Sequence, residues 1–339
     1  MRKIFFLLTT SFGILVIINL VWIGFTLYFM ASDGIQSLLQ GRNLIESINY
    51  SIYLRWILLV DVLWFVFMLF FIFRRKSYKT NILLHYLDYN PITNPTITMI
   101  IPTFNEELSI GSVIQNFSKE THVKSIIVID NNSSDRTVEI AKKAGATVIT
   151  KNENKGYSHS LVLGLKEALK TNSNIIGATE ADGTYNSYDI QKMIPYLDNC
   201  DMVIGTRQNQ IITEKGNQNS IVHVWGNFIL AKLIQIKYFN LHHMGIVNLT
   251  DVGCVYRLMK RNALEKIIDE LTYPNSDKAV GGIGIGLYLT MLGIEKDLKI
   301  LEIPVTFNKR IGVSKIESNK FPKAIRVGLS FLRLILSSN

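Results

Sequence analysis

The alternation of short apolar runs with helical patterns constrains this chain most. Apolar runs lie at 96–102, 125–130, 146–150, 174–182 and 201–206, and helical patterns separate them at 111–119, 135–145, 160–170 and 187–197. This order predicts an α/β fold with a mostly parallel sheet and helices on both faces. Ligands of such sheets bind beyond the carboxyl ends of the strands. The polar residues that follow the strands are therefore the first candidates for a functional site.

Polar residues concentrate at three of these strand ends: 103–106, 130–132 and 180–182. Glu180 and Asp182 stand on either side of Ala181 and lead into a turn at Gly183. Two carboxylates at this spacing suit Mg²⁺ or Mn²⁺ that carries a diphosphate. Taken alone, the pair is a weak signal, and two turn-forming acids are the more common explanation. The metal hypothesis depends on all these acids sharing one edge of the sheet.

The first 80 residues have a different character. The mean hydropathy of the chain is +0.21 with 19% charged residues, which excludes a disordered protein and favours membrane segments. No charged residue occurs from Ile4 to Ser32, and Asp61 alone interrupts the apolar run at 56–73. Both runs are long enough to cross a bilayer. A signal peptide is the alternative for the first run, but the run is too long for one and lacks a clear cleavage site.

The distribution of positive charge predicts the topology. Arg2 and Lys3 precede the first apolar run, and a basic cluster at 74–79 follows the second. The positive-inside rule then predicts a hairpin at 1–80, with spans at about 4–31 and 54–73 and a cytoplasmic N-terminus. A cytoplasmic catalytic domain follows at 95–317, and an amphipathic interfacial helix at 318–339. We therefore expect an integral membrane protein, in the plasma membrane of a prokaryote.

The net charge of +9 favours an anionic partner, which could be nucleic acid, a phosphorylated substrate or an acidic membrane surface. No nucleic-acid-binding motif occurs. Cys200 and Cys254 are too few for a disulfide framework. Walker A, nucleophile-elbow and dinucleotide-binding motifs are absent, and we interpret the glycines at 281–286 as helix packing or a loop. His242 and His243 lack the partners of a metal site.

Seven motifs in order carry a resemblance to a known family. They are IPTFNEE (101–107), VIDNNSSDRT (128–137), NKGYSHSLVLGL (154–165), EADGTY (180–185), IGTR (204–207), LTDVGCVYR (249–257) and IPVTFNKRIGVSK (303–315). Together they resemble the family 2 glycosyltransferases, which have the GT-A fold of nucleotide-diphospho-sugar transferases. The branch that looks most similar is that of the dolichyl- and polyprenyl-phosphate hexose synthases. The resemblance covers about 97–315, which is most of the chain after the apolar segments.

This resemblance implies a role for each matching residue. The nucleotide-sugar-binding residues would be Pro102, Phe104, Glu106, Asp130, Asn132, Lys155, Gly156 and Ala181. The metal ligands would be Glu180 and Asp182, holding Mg²⁺ or Mn²⁺. The catalytic residues would be Asp182, Asp251, Arg207, Arg310 and Lys315. The acceptor phosphate would be bound by Arg257, Arg310, Ser314 and Lys315, three of which belong to an R-x-G-x-S-K loop at 310–315.

The implied reaction moves a sugar, with inversion, from a nucleotide sugar to undecaprenyl or dolichyl phosphate. A uridine nucleotide carrying a hexose or N-acetylhexosamine is favoured over guanosine by the D-G-T-Y stretch. A lipid phosphate is already ionised at neutral pH, so it needs Arg and Lys to position it rather than a strong base. The implied partners are the nucleotide sugar, the polyprenyl phosphate and the membrane, without nucleic acid. The oligomeric state stays open, and pairing of membrane hairpins from two chains would give a homo-oligomer.

Two departures from the family pattern keep alternatives open. Glu180 stands where Asp is usual, and the membrane hairpin precedes the catalytic domain. The hairpin is similar to that of processive synthases, but their Q-x-x-R-W motif is missing after Asp251. A glycosyltransferase for a hydroxyl acceptor, in a lipid-linked or cell-surface glycan, would use Asp251 as its base. The remaining alternatives are a non-catalytic membrane subunit and a nucleotidyltransferase, whose glycine-rich loop is replaced here by IPTFNEE.

Overall fold

A computed structural model describes residues 85–215, 221–238, 247–273, 278–312 and 321–337, together with individual positions between 14 and 66. The chain divides into two units, one of residues 1–77 with 336–339 and one of residues 78–335. The predicted spans at 4–31 and 54–73 lie largely outside the described residues. Within the described residues, no helix combines the length and the apolar character that crossing a membrane requires.

The first part of the larger unit follows the predicted alternation. Its elements are β1 Ile97–Thr103, α1 Ile110–Ser118, β2 Val123–Asp130, α2 Thr137–Lys143, β3 Thr147–Thr150, α3 Tyr157–Ala168, β4 Ile175–Ala178, α4 Asp189–Leu197 and β5 Met202–Thr206. All five predicted strands and four predicted helices are confirmed. Strand β4 ends earlier than predicted, because residues 179–182 leave the sheet and enter the turn at Gly183, whose φ is +79°.

The second part of this unit is less regular. Its elements are α5 Ile221–Lys237, β6 Arg257–Lys260, α6 Arg261–Glu265, α7 Ile285–Glu295, β7 Ile300–Pro304 and α8 Phe321–Ser337. The glycines at 281–286 form a short 3₁₀ turn, Gly282–Gly284, that leads into the buried helix α7. This agrees with the interpretation of that segment as helix packing or a loop. His242 and His243 lie outside the described residues.

The sheet has seven strands in the order β3-β2-β1-β4-β6-β5-β7. Strand β6 runs antiparallel to its neighbours β4 and β5, and every other pairing is parallel. The carboxyl ends of β1 and β2 meet where Thr103 pairs with Asp130. Because β6 is reversed, its amino end is what reaches the same edge, with Arg257 opposite Ala178. The mostly parallel α/β sheet predicted from the sequence is confirmed.

Close packing against β1 explains why the sheet is rigid beneath this edge. Every residue of β1 is buried, and helix α3 lies against β1 and β2. Gly164 of α3 allows this contact, since a Cβ there would stand 2.3 Å from Ile100 Cγ2 and 3.1 Å from Ile129 Cγ1. Interiors packed at crystal-like density transmit such constraints. The strand ends that carry the site are therefore held in fixed register.

A second apolar cluster forms beside the main core. It joins one face of α5, helix α7 and α8 to the segment at 249–252, through Leu230, Ala231, Ile234, Leu249, Val252, Leu287, Met291 and Ile335. Helix α5 is long and mostly apolar. Helix α8 occupies most of the predicted amphipathic segment, with Lys323, Arg326 and Arg333 exposed. This cluster fixes the backbone immediately around Asp251.

Candidate active site

The loops after β1 and β2 are bound to each other. The backbone N–H of Asn105 donates to Ser133 Oγ at 2.9 Å, and the N–H of Ser134 donates to Asn105 Oδ1 at 2.8 Å. Asn105 takes φ +52°, a left-handed conformation that Asn tolerates better than most residues. Glu106 is buried, and its N–H donates to Thr137 Oγ1 at 2.8 Å. These contacts place Glu106 beside the end of β2.

At the end of β2, the predicted residue Asp130 and its neighbour Asn131, which was not predicted, hold the following loop in place. The Asp130 carboxylate is buried and accepts the N–H of Ser133 at 3.2–3.3 Å. Asn131 is also buried; its amide donates to Asn154 Oδ1 at 2.6 Å and accepts the N–H of Lys155 at 3.1 Å. Asn132, the predicted residue, is exposed. The sequence signal for Asn131 was its position directly after a buried strand.

Lys151 is a second residue that the sequence analysis did not select. It follows β3 directly and is buried, with Nζ 3.4 Å from His159 Nδ1. Burial, helped by the nearby charge of Lys155, lowers the pKa of the Lys151 ammonium to about 8. The predicted residue Lys155 lies closer to solvent and pairs with Glu153 at 3.4 Å. Gly156 precedes α3 with φ +85°, a conformation that glycine adopts without strain.

The E-A-D turn after β4 holds the two predicted metal ligands. Asp182 is 3% exposed, and its Oδ1 accepts the N–H and the hydroxyl of Thr184 at 3.1 and 2.6 Å. Burial raises the pKa of Glu180 to about 8, and the neighbouring Asp182 carboxylate adds to the effect. Arg207 and Arg310 oppose this shift without cancelling it. Near neutral pH and without a bound cation, Glu180 is therefore mostly protonated, and a cation that binds its oxygens would displace this proton.

This pair of acids fits a divalent cation. Within the described residues, no group of three or more His, Cys, Asp or Glu side chains could hold a metal ion. Glu180 and Asp182 supply only two carboxylates. Mg²⁺ in phosphate-transfer sites is commonly held by one or two carboxylates, with substrate phosphates and water completing the coordination. The residues present therefore fit a cation that binds together with a diphosphate.

The loop at 308–312 folds over this turn. The N–H of Asn308 donates to Thr184 O at 2.8 Å, and that of Ile311 to Asp182 O at 2.9 Å. Arg310 then bridges two acids, with Nη1 2.8 Å from Asp182 Oδ2 and Nη2 3.0 Å from Glu106 Oε1. The structure thus brings Arg310 to the predicted metal and nucleotide residues. Ser314 and Lys315 lie outside the described residues, and their predicted roles stay predictions.

Arg207 and Asp251 form a nearly buried ion pair on the other side of the edge. Asp251 Oδ2 accepts Arg207 Nε at 2.6 Å, and Oδ1 accepts Nη2 at 2.8 Å. The backbone N–H groups of Arg207 and Gly253 each donate to the same carboxylate at 3.1 Å. Burial works to raise the pKa of Asp251, but Arg207 and these hydrogen bonds lower it. The carboxylate is ionised and accepts four hydrogen bonds.

Glu302 supports this pair from strand β7. Its carboxylate accepts the N–H of Thr250 at 2.7 Å, the Thr250 hydroxyl at 2.7 Å and the N–H of Asp251 at 2.9 Å. Burial raises the pKa of Glu302 to about 7, although these hydrogen bonds act in the opposite direction. The sequence analysis missed Glu302, which stands directly before the IPVTFNKRIGVSK motif. That adjacency was the only signal available.

Arg257 requires a correction. The sequence resemblance implied a contact with the acceptor phosphate, but the side chain of Arg257 is only 1% exposed. Its Nη2 donates to the carbonyls of Cys254 and Gly286 at 2.7 and 3.0 Å, and Nη1 to Thr290 Oγ1 at 3.4 Å. Burial lowers the pKa of its guanidinium. Arg257 therefore fastens the 254–257 segment to helix α7 and is not presented to a ligand in this structure.

The remaining predicted residues lie at the same edge. Pro102 and Ala181 are buried, and Phe104 is half-buried in the loop after β1. The edge thus has two parts. We name the two parts the donor half and the acceptor half, after the roles that the sequence resemblance implies. The donor half consists of Glu106, Asp130, Glu180 and Asp182, at the ends of β1, β2 and β4. The acceptor half consists of Arg207, Asp251 and Glu302, and Arg310 contacts the donor half.

The carboxyl edge of a mostly parallel sheet is where ligands of such folds bind, and this edge carries acids with arginines beside them. Residues 98–268 match the family model for glycosyl transferase family 2. The chain therefore belongs to this family and is a glycosyltransferase. The sequence resemblance to polyprenyl-phosphate hexose synthases is confirmed by relatives that carry such names.

Two relatives illustrate the similarity. The chain is 33% identical to the uncharacterized protein MJ1222 of Methanocaldococcus jannaschii, over 64% of this chain and 83% of that protein. It is 25% identical to a dolichyl-phosphate hexose transferase of Haloferax volcanii, over 71% of this chain and 94% of that protein.

A solved structure shows the fold. Glucosyl-3-phosphoglycerate synthase from Mycobacterium tuberculosis, in complex with Mn²⁺, uridine diphosphate and phosphoglyceric acid, matches with a TM-score of 0.51. The match covers 72% of this chain and 80% of that one, at 18% identity. It supports the GT-A fold predicted from the sequence.

Proposed function

We propose that this glycosyltransferase moves a hexose or N-acetylhexosamine from a uridine diphosphate sugar to a polyprenyl phosphate. One observation carries the choice of acceptor: the Asp251 carboxylate already accepts four hydrogen bonds, all from Arg207 and Gly253. A hydroxyl acceptor requires a base with a free lone pair and a pKa near the working pH. Asp251 has neither, whereas an ionised phosphate requires only a cation. The name of the Haloferax volcanii relative supports the same acceptor class.

Arg207 is the cation that we assign to the acceptor phosphate. Asp251 holds its Nε and Nη2, and the guanidinium lies 5.3 Å from the centre of the Phe307 ring. Within the described residues, Nη1 has no hydrogen bond, so this part of the guanidinium can bind an oxyanion. A guanidinium fixed in this way loses little entropy when it binds phosphate. Ser314 and Lys315 complete the phosphate site in this proposal.

The chemical step follows from this arrangement. A phosphate oxygen of the acceptor forms a bond to the anomeric carbon, and the bond from that carbon to the diphosphate oxygen breaks. The electron pair of the broken bond leaves with the uridine diphosphate, and the configuration at the anomeric carbon inverts. No proton has to move. Charge on the leaving diphosphate has to be stabilised, which is the largest electrostatic requirement of the step.

The donor half meets that requirement with a cation and Arg310. Glu180 and Asp182 would hold Mg²⁺ or Mn²⁺, which neutralises diphosphate charge when it is bound. Arg310 now bridges Asp182 and Glu106, and in this proposal it turns toward phosphate once the donor is bound. Uridine diphosphate and Mn²⁺ occur together in the structurally similar synthase, which supports this pairing here.

We also propose that the enzyme works at the cytoplasmic face of the membrane, anchored by the two apolar segments at 4–31 and 54–73. Helices α5 and α8 supply a surface for this contact. Trp225, Phe228 and Ile229 of α5 are 58%, 51% and 54% exposed. Neither helix contains an acidic residue, and both carry Lys or Arg, which suits anionic lipid. Gln235 Nε2 donates to Leu249 O at 3.3 Å, two residues from Asp251.

A transfer assay tests the function. Full-length protein in lipid nanodiscs is incubated with Mn²⁺ and radiolabelled UDP-glucose, UDP-N-acetylglucosamine or GDP-mannose. The acceptor is either undecaprenyl phosphate or undecaprenol, which differ only in the phosphate. We expect transfer from one UDP-sugar to undecaprenyl phosphate and none to undecaprenol. Transfer to undecaprenol would overturn the phosphate-acceptor proposal, and transfer only from GDP-mannose would overturn the uridine assignment.

Photo-crosslinking tests the membrane surface separately. Benzoylphenylalanine replaces Phe228 in one variant and the exposed residue Tyr188 in its matched control, and the nanodiscs contain radiolabelled phosphatidylglycerol. We expect lipid adducts from Phe228→benzoylphenylalanine and at least about tenfold fewer from the control, because a headgroup contact reaches only residues at the interface. Equal labelling of the two variants, or none at Phe228, would contradict the proposal.

A further inference from the structure

Polar atoms without partners gather at the candidate active site. Within the described residues, four buried side-chain atoms at or beside the carboxyl edge make no hydrogen bond: Thr103 Oγ1, Tyr157 OH, Thr179 Oγ1 and Arg310 Nε. Burying a polar group without a partner costs free energy, and native structures rarely leave such groups unsatisfied. Their concentration around Glu180 and Asp182 indicates that a polar ligand satisfies them.

Tyr157 is the most firmly placed of the four. It begins helix α3 directly after Gly156, and its ring packs against the main core. The hydroxyl of the next residue, Ser158, donates to the carbonyl of Gly282, which ties the start of α3 to the turn before α7. The close contact of Gly164 with Ile100 fixes the same helix against β1. The phenol therefore has little freedom to turn toward solvent.

The surroundings of the phenol define what it can bind. A tyrosine hydroxyl carries its proton at neutral pH and can donate, and Glu180 is among the charged groups that interact with this phenol. Arg257 also lies near, but its Nη1 and Nη2 face Thr290 and the carbonyls of Cys254 and Gly286. A partner for the phenol must therefore come from a ligand held beside Glu180.

The charge distribution points to the sugar rather than the diphosphate. Arg310 lies against Asp182 and Glu106, so the positive charge that a diphosphate needs stands on that side of the turn. The acids that act on Tyr157 are Glu180 and Asp182, and the nearby Arg257 guanidinium donates instead to Thr290 and to backbone carbonyls. A phenol that donates and a carboxyl oxygen that accepts together match a hydroxyl group, which does both.

We propose that the Tyr157 hydroxyl binds a hydroxyl group of the transferred sugar and thereby positions the donor, at a point where the sequence motifs assigned no residue. This inference rests on the proposed use of a nucleotide sugar. It adds a contact between α3 and the sugar to the nucleotide contacts that the resemblance implies for Lys155 and Gly156. The variant Tyr157→Phe removes the hydroxyl and keeps the ring in the core.

The test compares two ligands that differ only in the sugar. Binding to full-length protein in nanodiscs with Mn²⁺ is measured by titration calorimetry for UDP and for the UDP-sugar that the enzyme uses, with UDP-glucose and UDP-N-acetylglucosamine both examined. We expect Tyr157→Phe to weaken UDP-sugar binding about tenfold, the effect of one buried hydrogen bond, and UDP binding less than twofold. The control Tyr196→Phe removes the hydroxyl of an exposed tyrosine on α4 and should change neither.

Monodeoxy analogues of the sugar sharpen the result. Wild-type protein should lose affinity for one analogue, and Tyr157→Phe should bind that analogue as tightly as the parent compound. Equal weakening for UDP and the UDP-sugar would overturn the sugar contact, as would no weakening at all. Wild-type protein that bound UDP but neither UDP-sugar would overturn the proposed function, and the sugar contact with it. Normal unfolding temperatures of both variants exclude a folding defect as the cause.

Discussion

The donor half and the acceptor half of the site are built in different ways. Each acid of the donor half follows the strand that carries it, and β2, β1 and β4 are neighbours in the sheet. The acceptor half joins Arg207 to a residue 44 positions later, and Asp251 to one 51 positions later again. One half is thus assembled by consecutive βα units, and the other by long-range contacts around the reversed strand β6.

The two halves also differ in how their charges are balanced. In the donor half, burial and then the Asp182 carboxylate raise the pKa of Glu180 to about 8, although Arg207 and Arg310 act in the opposite direction. In the acceptor half, burial acts to raise the pKa of Asp251, but Arg207 and the hydrogen bonds lower it. A pair of acids whose proton a divalent cation can displace suits a metal, whereas an ion pair with a fixed guanidinium suits an anion. In the proposed function, this contrast allows one sheet edge to receive a metal-diphosphate and a phosphate side by side.

The largest effect is expected in the donor half, from Asp182→Ala. We expect metal-dependent transfer to fall by about a thousandfold, since the variant removes a charge that would hold the cation stabilising the leaving group. Electron paramagnetic resonance of Mn²⁺ in the presence of UDP should show weaker metal binding. The control Asp269→Ala changes an exposed acid and should behave as wild type. Unchanged Mn²⁺ binding in Asp182→Ala would remove the basis for the metal site.

A double-mutant cycle in the acceptor half is expected to give the next largest effect. We expect Arg207→Ala to lower kcat/KM for undecaprenyl phosphate by about a hundredfold, which corresponds to one charge-assisted phosphate contact. If Asp251 acts by positioning Arg207, the double variant with Asp251→Ala should be no slower than Arg207→Ala alone. Removing both charges also avoids leaving one buried and unpaired.

The same cycle distinguishes the hydroxyl-acceptor alternative. A general base contributes independently of the phosphate contact, so the two losses would then multiply in the double variant. Unfolding temperatures of the three variants serve as the control for stability. Multiplying losses in well-folded protein would restore Asp251 as a base and would contradict the phosphate-acceptor proposal.

The difference between the halves also explains what the sequence could predict. Local patterns were sufficient for the donor half, because strand ends can be located from apolar runs and parallel strands bring their ends together. Glu106, Asp130, Glu180 and Asp182 were found in this way, with the motifs adding their roles. Asn132 stays a prediction: it is exposed, whereas its neighbour Asn131 is buried and bonded to the loop at 154–155.

The acceptor half depends on strand order and strand direction, which the sequence pattern does not show. Periodicity does not show that β6 is antiparallel, and this reversal places Arg257 against Ala178 with its guanidinium in the core. Arginine is rarely fully buried, so the sequence favoured an exposed, ligand-binding role. Glu302 was missed for a related reason, because its three hydrogen bonds go to backbone and hydroxyl groups about 50 residues away.

A pair of glycine substitutions tests the rigidity beneath the donor half. A Cβ at Gly164 would stand 2.3 Å from Ile100 Cγ2, whereas a Cβ at Gly226 of α5 would have no heavy atom within 4 Å. We expect Gly164→Ala to lower the free energy of unfolding by about 2 kcal/mol through overpacking. Gly226→Ala should raise it by about 0.5–1 kcal/mol, since alanine favours the helix. Thermal unfolding of full-length protein gives both values, and equal stability of the two variants would contradict the close packing of α3.

The smallest effect is expected at Glu302, where the pH dependence of kcat/KM tests whether this residue supports Thr250 and Asp251. With a pKa near 7, Glu302 loses its charge as the pH falls from 8 to 6, and with it the capacity to accept all three hydrogen bonds from Thr250 and Asp251. Wild-type kcat/KM should therefore decrease through pH 7. In Glu302→Gln we expect about a fivefold lower value at pH 8, the cost of one weakened hydrogen bond, and no decrease near pH 7.

Titration of the acceptor phosphate, with a pKa near 6, should persist in both proteins and serves as the internal control. A decrease near pH 7 that survives in Glu302→Gln would assign the titration to another group.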